Sequence, residues 1–151
     1  MKEVNEKEKK EIIDMLNKKY KGNFDFLLEY EWFKNSDNKY FIFSGKLLTY
    51  GERIGLEAIK LENGKIRANF HFANLFKDKF NDFVLEFNKE RAKKLIRGED
   101  IYDFPLDNLE DKEFYLVKYK DWFIGVVKVN KKENKLINYL AKQYRFKNIE
   151  I

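Results

Sequence analysis

Asp82-Phe83-Val84-Leu85-Glu86-Phe87-Asn88, followed by Lys89-Glu90-Arg91-Ala92-Lys93-Lys94-Leu95-Ile96-Arg97-Gly98, decides how the rest of the chain is read. Phe83, Leu85 and Phe87 alternate with Val84 and Glu86, which is the period of a short strand. Asn88 then offers a side-chain oxygen to the first free N–H groups of a helix, predicted over Lys89 to Arg97. Gly98 predicts its end, because a glycine at C′ takes the left-handed conformation without steric cost. Ala92, Leu95 and Ile96 fall at i, i+3 and i+4 as one buried stripe. Lys89, Arg91, Lys93, Lys94 and Arg97 stand against a single acid of the helix, Glu90, so its outer face is predicted to be basic.

Working outward, Phe114 to Tyr119 and Trp122 to Val129 predict two strands joined across Lys120-Asp121, with Gly125 marking a bulge or close packing. A last strand is predicted over Leu140 to Lys147. Its alternation would put Lys142, Tyr144 and Phe146 on one side and Gln143, Arg145 and Lys147 on the other, so the strand must bend for Lys142 and Arg145 to meet one ligand. Upstream, Glu6 to Tyr20 reads as an amphipathic helix burying Ile12, Ile13, Leu16 and Tyr20, with Lys9, Lys10, Asp14 and Lys18 elsewhere, closed by Lys21-Gly22-Asn23. Leu28 to Lys34 and Lys39 to Ser44 flank a polar turn, Asn35-Ser36-Asp37-Asn38, and predict a hairpin. Leu47 to Gly51 reads as a connector. Asn63-Gly64 predicts a second hairpin between Leu56–Glu62 and Lys65–Ala68, since both residues tolerate positive φ. Phe70 to Phe76 fits neither period cleanly. The polar gap Lys77-Asp78-Lys79 reads as the linker between two domains.

The chain has 151 residues, 44% hydrophobic, 17% aromatic and 38% charged, enough apolar surface for one large or two small cores. No apolar run approaches the roughly 18 residues of a membrane span, and the N-terminus lacks a signal-peptide core. Together with the absence of cysteine, this predicts a cytoplasmic protein. The net charge of +5 is modest, but it is unevenly spread. Lys128 to Lys147 holds seven cations against Glu133, and Glu99 to Glu113 holds seven acids against Lys112. A localised basic surface is the electrostatic footprint of nucleic-acid binding.

Few catalytic groups are available. His71 is the only histidine, Ser36 and Ser44 the only serines, and Thr49 the only threonine, so a nucleophile–base pair is poorly supplied. A zinc site of His or Cys type lacks ligands, and no glycine-rich phosphate loop occurs. The reading is a non-enzyme with no cofactor and no metal. His71, in an apolar stretch, reads as a core or interface histidine. Tyr119, Trp122 and Phe123 could in principle stack on bases, although hairpin aromatics more often belong to a core.

Ala92-Lys93-Lys94-Leu95-Ile96-Arg97-Gly98-Glu99-Asp100-Ile101, an acidic loop, Tyr115-Leu116-Val117-Lys118-Tyr119 and Phe123-Ile124-Gly125-Val126-Val127-Lys128-Val129 together resemble a PUA domain. PUA domains are small β-barrel RNA-binding modules of tRNA and rRNA modification systems. Arg53-Ile54-Gly55-Leu56, Asn63-Gly64-Lys65 and His71-Phe72-Ala73-Asn74-Leu75-Phe76 resemble the companion pre-PUA domain. This order is similar to the Nip family of ribosome-biogenesis factors and to the RNA-binding tail of Sun-type RNA cytosine methyltransferases. The resemblance implies an α+β protein, with a mixed α/β pre-PUA domain over residues 1–79 and a PUA-like β-barrel over residues 80–151, and it favours a helix at Phe70 to Phe76. The methyltransferases carry a Rossmann domain and catalytic cysteines ahead of this region, and the chain has neither.

The implied function is non-catalytic RNA binding, to rRNA or tRNA, in ribosome biogenesis or RNA modification. Arg91, Lys93, Lys94, Arg97, Gly98, Lys142, Gln143, Arg145 and Lys147 are the expected contacts, with Arg97 beside Gly98 leading. Family members often have a proline and a denser run of arginines where this chain has Ala141 and the single Arg145. The alternatives are a protein-interaction adaptor in ribosome assembly, or an accessory subunit of a separately encoded RNA-modifying enzyme, with assembly or processing proteins as partners.

Overall fold

Asn5 begins the first helix: its side chain accepts the Glu8 N–H at 2.9 Å and caps helix α1, Glu6–Tyr20. The computed structural model describes residues 1–43, 55–148 and 150. The chain divides into two compact units, Met1–Asp82 and Phe83–Ile151, each carrying one sheet, so the protein is of mixed α/β type.

The first unit is an antiparallel sheet in sequential order: β1 Lys2–Glu3, β2 Glu31–Lys34, β3 Lys39–Phe43, β4 Leu56–Glu62 and β5 Lys65–Ala68. Asn63 at φ 52° and Gly64 at φ 75° turn β4 into β5, as that dipeptide predicts. Helix α1 buries Ile12, Ile13, Leu16 and Tyr20, and the Tyr20 hydroxyl accepts the Ala68 N–H at 3.0 Å, tying the helix to β5. Lys9, read as surface, is buried; its ammonium donates to Glu6 and to the Tyr30 carbonyl at 3.0 Å, which satisfies the charge. The strand expected from Leu28 starts only at Glu31, because Asp25–Glu29 coils into a 3-10 turn that buries Leu27 and gives its carbonyl to the Trp32 indole at 2.9 Å. Phe70–Leu75 is helix α2, capped by Asn69. Lys77–Lys79, read as a linker, is a 3-10 turn within the first unit. His71 is exposed rather than buried, its ring 4.1 Å from that of Phe70. The expected connector Leu47–Gly51 and the residues Ser44, Arg53 and Ile54 lie outside the described residues.

The second unit opens at Phe83, whose φ of 55° is costly for a residue with a Cβ. Its ring lies 5.0 Å from Tyr115, and its carbonyl accepts the Leu116 N–H at 2.9 Å, so the strand begins one residue later than its alternation indicates. The sheet runs β6 Val84–Glu86, β7 Phe114–Tyr119, β8 Trp122–Asn130 and β9 Lys135–Asn138, with β6 parallel to β7 and the other pairs antiparallel. A bridge from Ile101 to Leu136 extends the β9 edge. No strand pair among the described residues closes this order into a ring, so the expected barrel stands here as an open four-stranded sheet.

Helix α3, Lys89–Ile96, is capped by Asn88 and buries Ala92 and Leu95. They join a core of Leu85, Phe87, Ile101, Val117, Val127, Val129 and Leu136. Gly125 sits at a bulge opposite Val117, where a Cβ would stand 3.1 Å from Leu95, so the helix can approach the sheet closely. The strand predicted over Leu140 to Lys147 is absent: β9 ends at Asn138, and Lys142–Tyr144 forms a 3-10 turn.

One network in the first unit gives acid sensitivity. The Tyr40 hydroxyl donates to Glu8 at 2.7 Å and the Lys34 ammonium donates at 2.9 Å, and together they hold the Glu8 carboxyl below its ordinary value despite partial burial. A lowered carboxyl pKa contributes stability above the unfolded value, and that stability is lost as pH falls through the folded one. Tyr40→Phe is expected to cost about 1 kcal/mol at neutral pH. In thermal melts the penalty should shrink toward zero in acid, where Glu8 is protonated in both proteins.

Candidate nucleic-acid interface

The C-terminal end of α3 organises this surface. Gly98, at φ 89°, takes the left-handed position; its N–H donates to the Leu95 carbonyl at 2.9 Å, and the Glu99 N–H donates to the Lys94 carbonyl at 3.0 Å. This is a Schellman closure of the helix. Asn138, at the end of β9, completes it. Its amide nitrogen donates to the Leu95 and Glu99 carbonyls at 2.8 Å each, and its side-chain oxygen accepts the Leu140 N–H at 2.8 Å. Its own N–H donates to the Asp100 carboxylate at 2.9 Å.

One more bond to β8, from the Tyr139 N–H to the Val126 carbonyl at 3.0 Å, follows this fully bonded amide before the chain turns onto the helix end. After the Lys142–Tyr144 turn, Arg145 donates from Nε to the Leu140 carbonyl at 2.8 Å, and the Phe146 N–H donates to the Ile96 carbonyl at 2.9 Å. A Cβ on Gly98 would lie 2.6 Å from Arg145 Cδ. The space that glycine leaves is thus filled by an arginine stem of the same unit. Arg145 keeps both Nη nitrogens without a protein partner among the described residues, beside helix-terminal carbonyls that favour a cation.

The structure divides the predicted contacts into two groups. At about 100° per residue, Lys93, Lys94 and Arg97 lie opposite the Ala92–Leu95 stripe, whereas Arg91 lies toward the acidic loop. Lys93 and Lys94 are half-buried and carry no ion pair among the described residues. Lys142, Gln143 and Lys147 are exposed in the segment that carries Arg145. Arg97 is paired: its Nε lies 2.7 Å from Glu99, with both side chains well exposed, so water and salt weaken the attachment. Arg91 is tied to the Asp103 carboxylate at 3.3 Å and to its carbonyl at 2.8 Å, with its guanidinium 5.1 Å from the Phe104 ring. The helix therefore does not stand against one acid; the loop after it brings two more. Lys135 is likewise held by Asp100 and by Glu133, both at 3.1 Å, hydrogen bonds that raise its ammonium pKa above the ordinary value.

Two contributors went unread in the sequence. Asn138 looks like the polar end of a strand, and only its placement beside a helix terminus makes it a clamp. Phe146, 59% exposed beside Arg145 and Lys147, stands as an aromatic among cations. Of the three hairpin aromatics, Phe123 is buried, Tyr119 is half-buried and Trp122 is 60% exposed.

Residues 82–146 match the family model described as the methyltransferase RsmF PUA domain. No curated protein matches the chain. The match covers the second unit almost from end to end and supports a PUA-type C-terminal region similar to that of the RNA methyltransferases. A PUA domain in turn supports RNA binding. Among the described residues no helix is long and apolar enough to cross a membrane, and no cluster of His, Asp and Glu is placed to hold a metal ion.

Two substitutions test the clamp. Asn138→Ala takes the amide from the Glu99 carbonyl and the acceptor from the Leu140 N–H, while the Leu95 carbonyl keeps its bond from Gly98, and is expected to cost about 2 kcal/mol in denaturant unfolding. Gly98→Ala combines a left-handed alanine with a clash on Arg145. Its cost should fall to about 1–2 kcal/mol in an Arg145→Ala background, where only the backbone term remains.

Proposed function

We propose that the protein is a non-catalytic RNA-binding protein whose PUA-like unit grips phosphates at the end of α3, in the service of rRNA or tRNA maturation or modification. The observation that carries this reading is the seating of Arg145 on Gly98. It joins two basic segments separated by the acidic loop into one surface, with Lys93 and Lys94 from the helix and Lys142, Arg145 and Lys147 from the C-terminal segment. Arg145 leads because its Nε is anchored and its Nη nitrogens are available. Arg97 joins once RNA competes with Glu99, and Gln143 is a neutral hydrogen-bonding group on the same turn. Lysine and arginine gain affinity here by releasing counterions from the backbone, so binding weakens as salt rises. Phe146 can add stacking on an unpaired base, worth roughly 1 to 3 kcal/mol. The supply of one exposed histidine and no cysteine supports a role without chemistry of its own.

A protein-interaction adaptor remains the second reading, favoured by the ion pairs that quench Arg91 and Arg97. An accessory subunit of a separate modification enzyme would use the same RNA surface. Fluorescence anisotropy with a short single-stranded RNA and a stem-loop RNA, at low and physiological salt, separates RNA binding from the adaptor. The Lys142→Ala/Arg145→Ala protein is expected to bind more weakly, with the log–log salt slope shallower by roughly 1.4 for single strands. Equal affinity and slope in wild type and variant would overturn this site. No binding at low salt would favour the adaptor.

A further inference from the structure

The opposite flank of α3 carries a second, chemically different surface. Among the described residues strand β6 is an edge of its sheet, paired on one side only, with β7. The Phe83 carbonyl accepts from Leu116 and the Phe87 N–H donates to Lys118, both at 2.9 Å, so Phe83, Leu85 and Phe87 turn their backbone groups toward β7. By strand alternation the N–H and C=O groups of Val84 and Glu86 point outward. They meet no backbone partner among the described residues.

The outward edge faces a cleft of about 370 Å³ whose lining includes Val84, Leu85, Glu86, Phe104, Asp107 and Leu109. The far wall is fixed at both ends. Arg91 grips Asp103 and covers Phe104, whose ring lies 5.5 Å from Phe87, while the Tyr115 hydroxyl accepts the Glu110 N–H at 2.9 Å. Leu106, buried in the core, anchors the middle of the loop. The cleft is therefore formed in advance, with an open strand edge on one wall and an apolar surface between two acids, Glu86 and Asp107. Phosphates would be repelled there.

We propose that this cleft receives an extended segment of a basic protein, added as a further strand on β6. Backbone bonds to Val84 and Glu86 supply register, an apolar side chain packs against Leu109 and Phe104, and flanking lysines or arginines meet Glu86 and Asp107. Strand addition of this kind gains affinity from main-chain bonds and specificity from alternate side chains. Arg91, which the sequence marks as an RNA contact, holds the wall of this cleft.

The test uses the full chain and a fluorescein-labelled, end-blocked peptide of alternating valine and lysine, followed by anisotropy and by amide exchange. The peptide is expected to bind saturably and to protect the Val84 and Glu86 amides, while a valine–glutamate peptide does not bind. Glu86→Pro removes the outward N–H but spares the bonds to β7, because the preceding Leu85 is extended. It is expected to weaken binding about tenfold, and Glu86→Gln only a few-fold. Asp107→Lys, an exposed loop change, is expected to weaken binding several-fold whether or not the proline variant folds, and Lys142→Ala/Arg145→Ala should leave it unchanged. Absence of binding, or binding without protection at Val84 and Glu86 and indifferent to Asp107→Lys, would overturn the proposal and leave the RNA surface untouched.

Discussion

The buried amide of Asn138 is the constraint on which the second unit depends. One side chain closes the end of α3, stops β9 and redirects the C-terminal segment, with every polar atom bonded. A buried amide is costly unless it is satisfied, and when satisfied it specifies one arrangement of the elements around it. Without that redirection the segment from Leu140 would continue as an edge strand, its side chains alternating between two faces, and Arg145 could not reach Gly98. The basic surface is thus a product of where a strand is made to stop.

Helix α3 gains two unlike flanks from the chain that surrounds it. On one, the loop from Glu99 to Glu113 supplies Asp103 to Arg91 and props open a cleft beside β6. On the other, the segment that carries Lys142, Arg145 and Lys147 is seated on the Ile96 carbonyl and on Gly98. The spatial separation of these charges explains how a net charge of only +5 is compatible with a strongly basic face. An RNA surface and a peptide cleft on opposite flanks of one helix would let the unit hold a nucleic acid and a protein at once.

Local signals were legible in the sequence where one short stretch determines the outcome. Asn88 and Gly98 bracket α3, Asn63-Gly64 makes its hairpin, and Glu6 to Tyr20 is a helix along the predicted face. What was not legible depends on residues distant along the chain. Lys9 looks exposed by helical position but finds the Tyr30 carbonyl. Arg97 and Arg91 look free until the following loop folds back with Glu99 and Asp103. Gly98 stands among the expected RNA contacts, but the space it leaves is taken by Arg145, 47 positions later. The basic residues of the candidate surface were nameable from composition and resemblance, but which of them stand free is a tertiary property. The alternation rule failed at Leu140 to Lys147 because the chain leaves β8 after Tyr139 and turns onto the end of α3.

The most direct measurement is a ¹⁵N-¹H NMR titration of the full chain with a short single-stranded RNA at low salt, following backbone amides and the Arg145 Nε–H. The account predicts that the largest shifts cluster at Gly98, Lys142 to Lys147 and the Arg145 Nε–H, with Val84 and Glu86 unmoved. Shifts confined to the first unit, or centred on the β6 cleft, would contradict it.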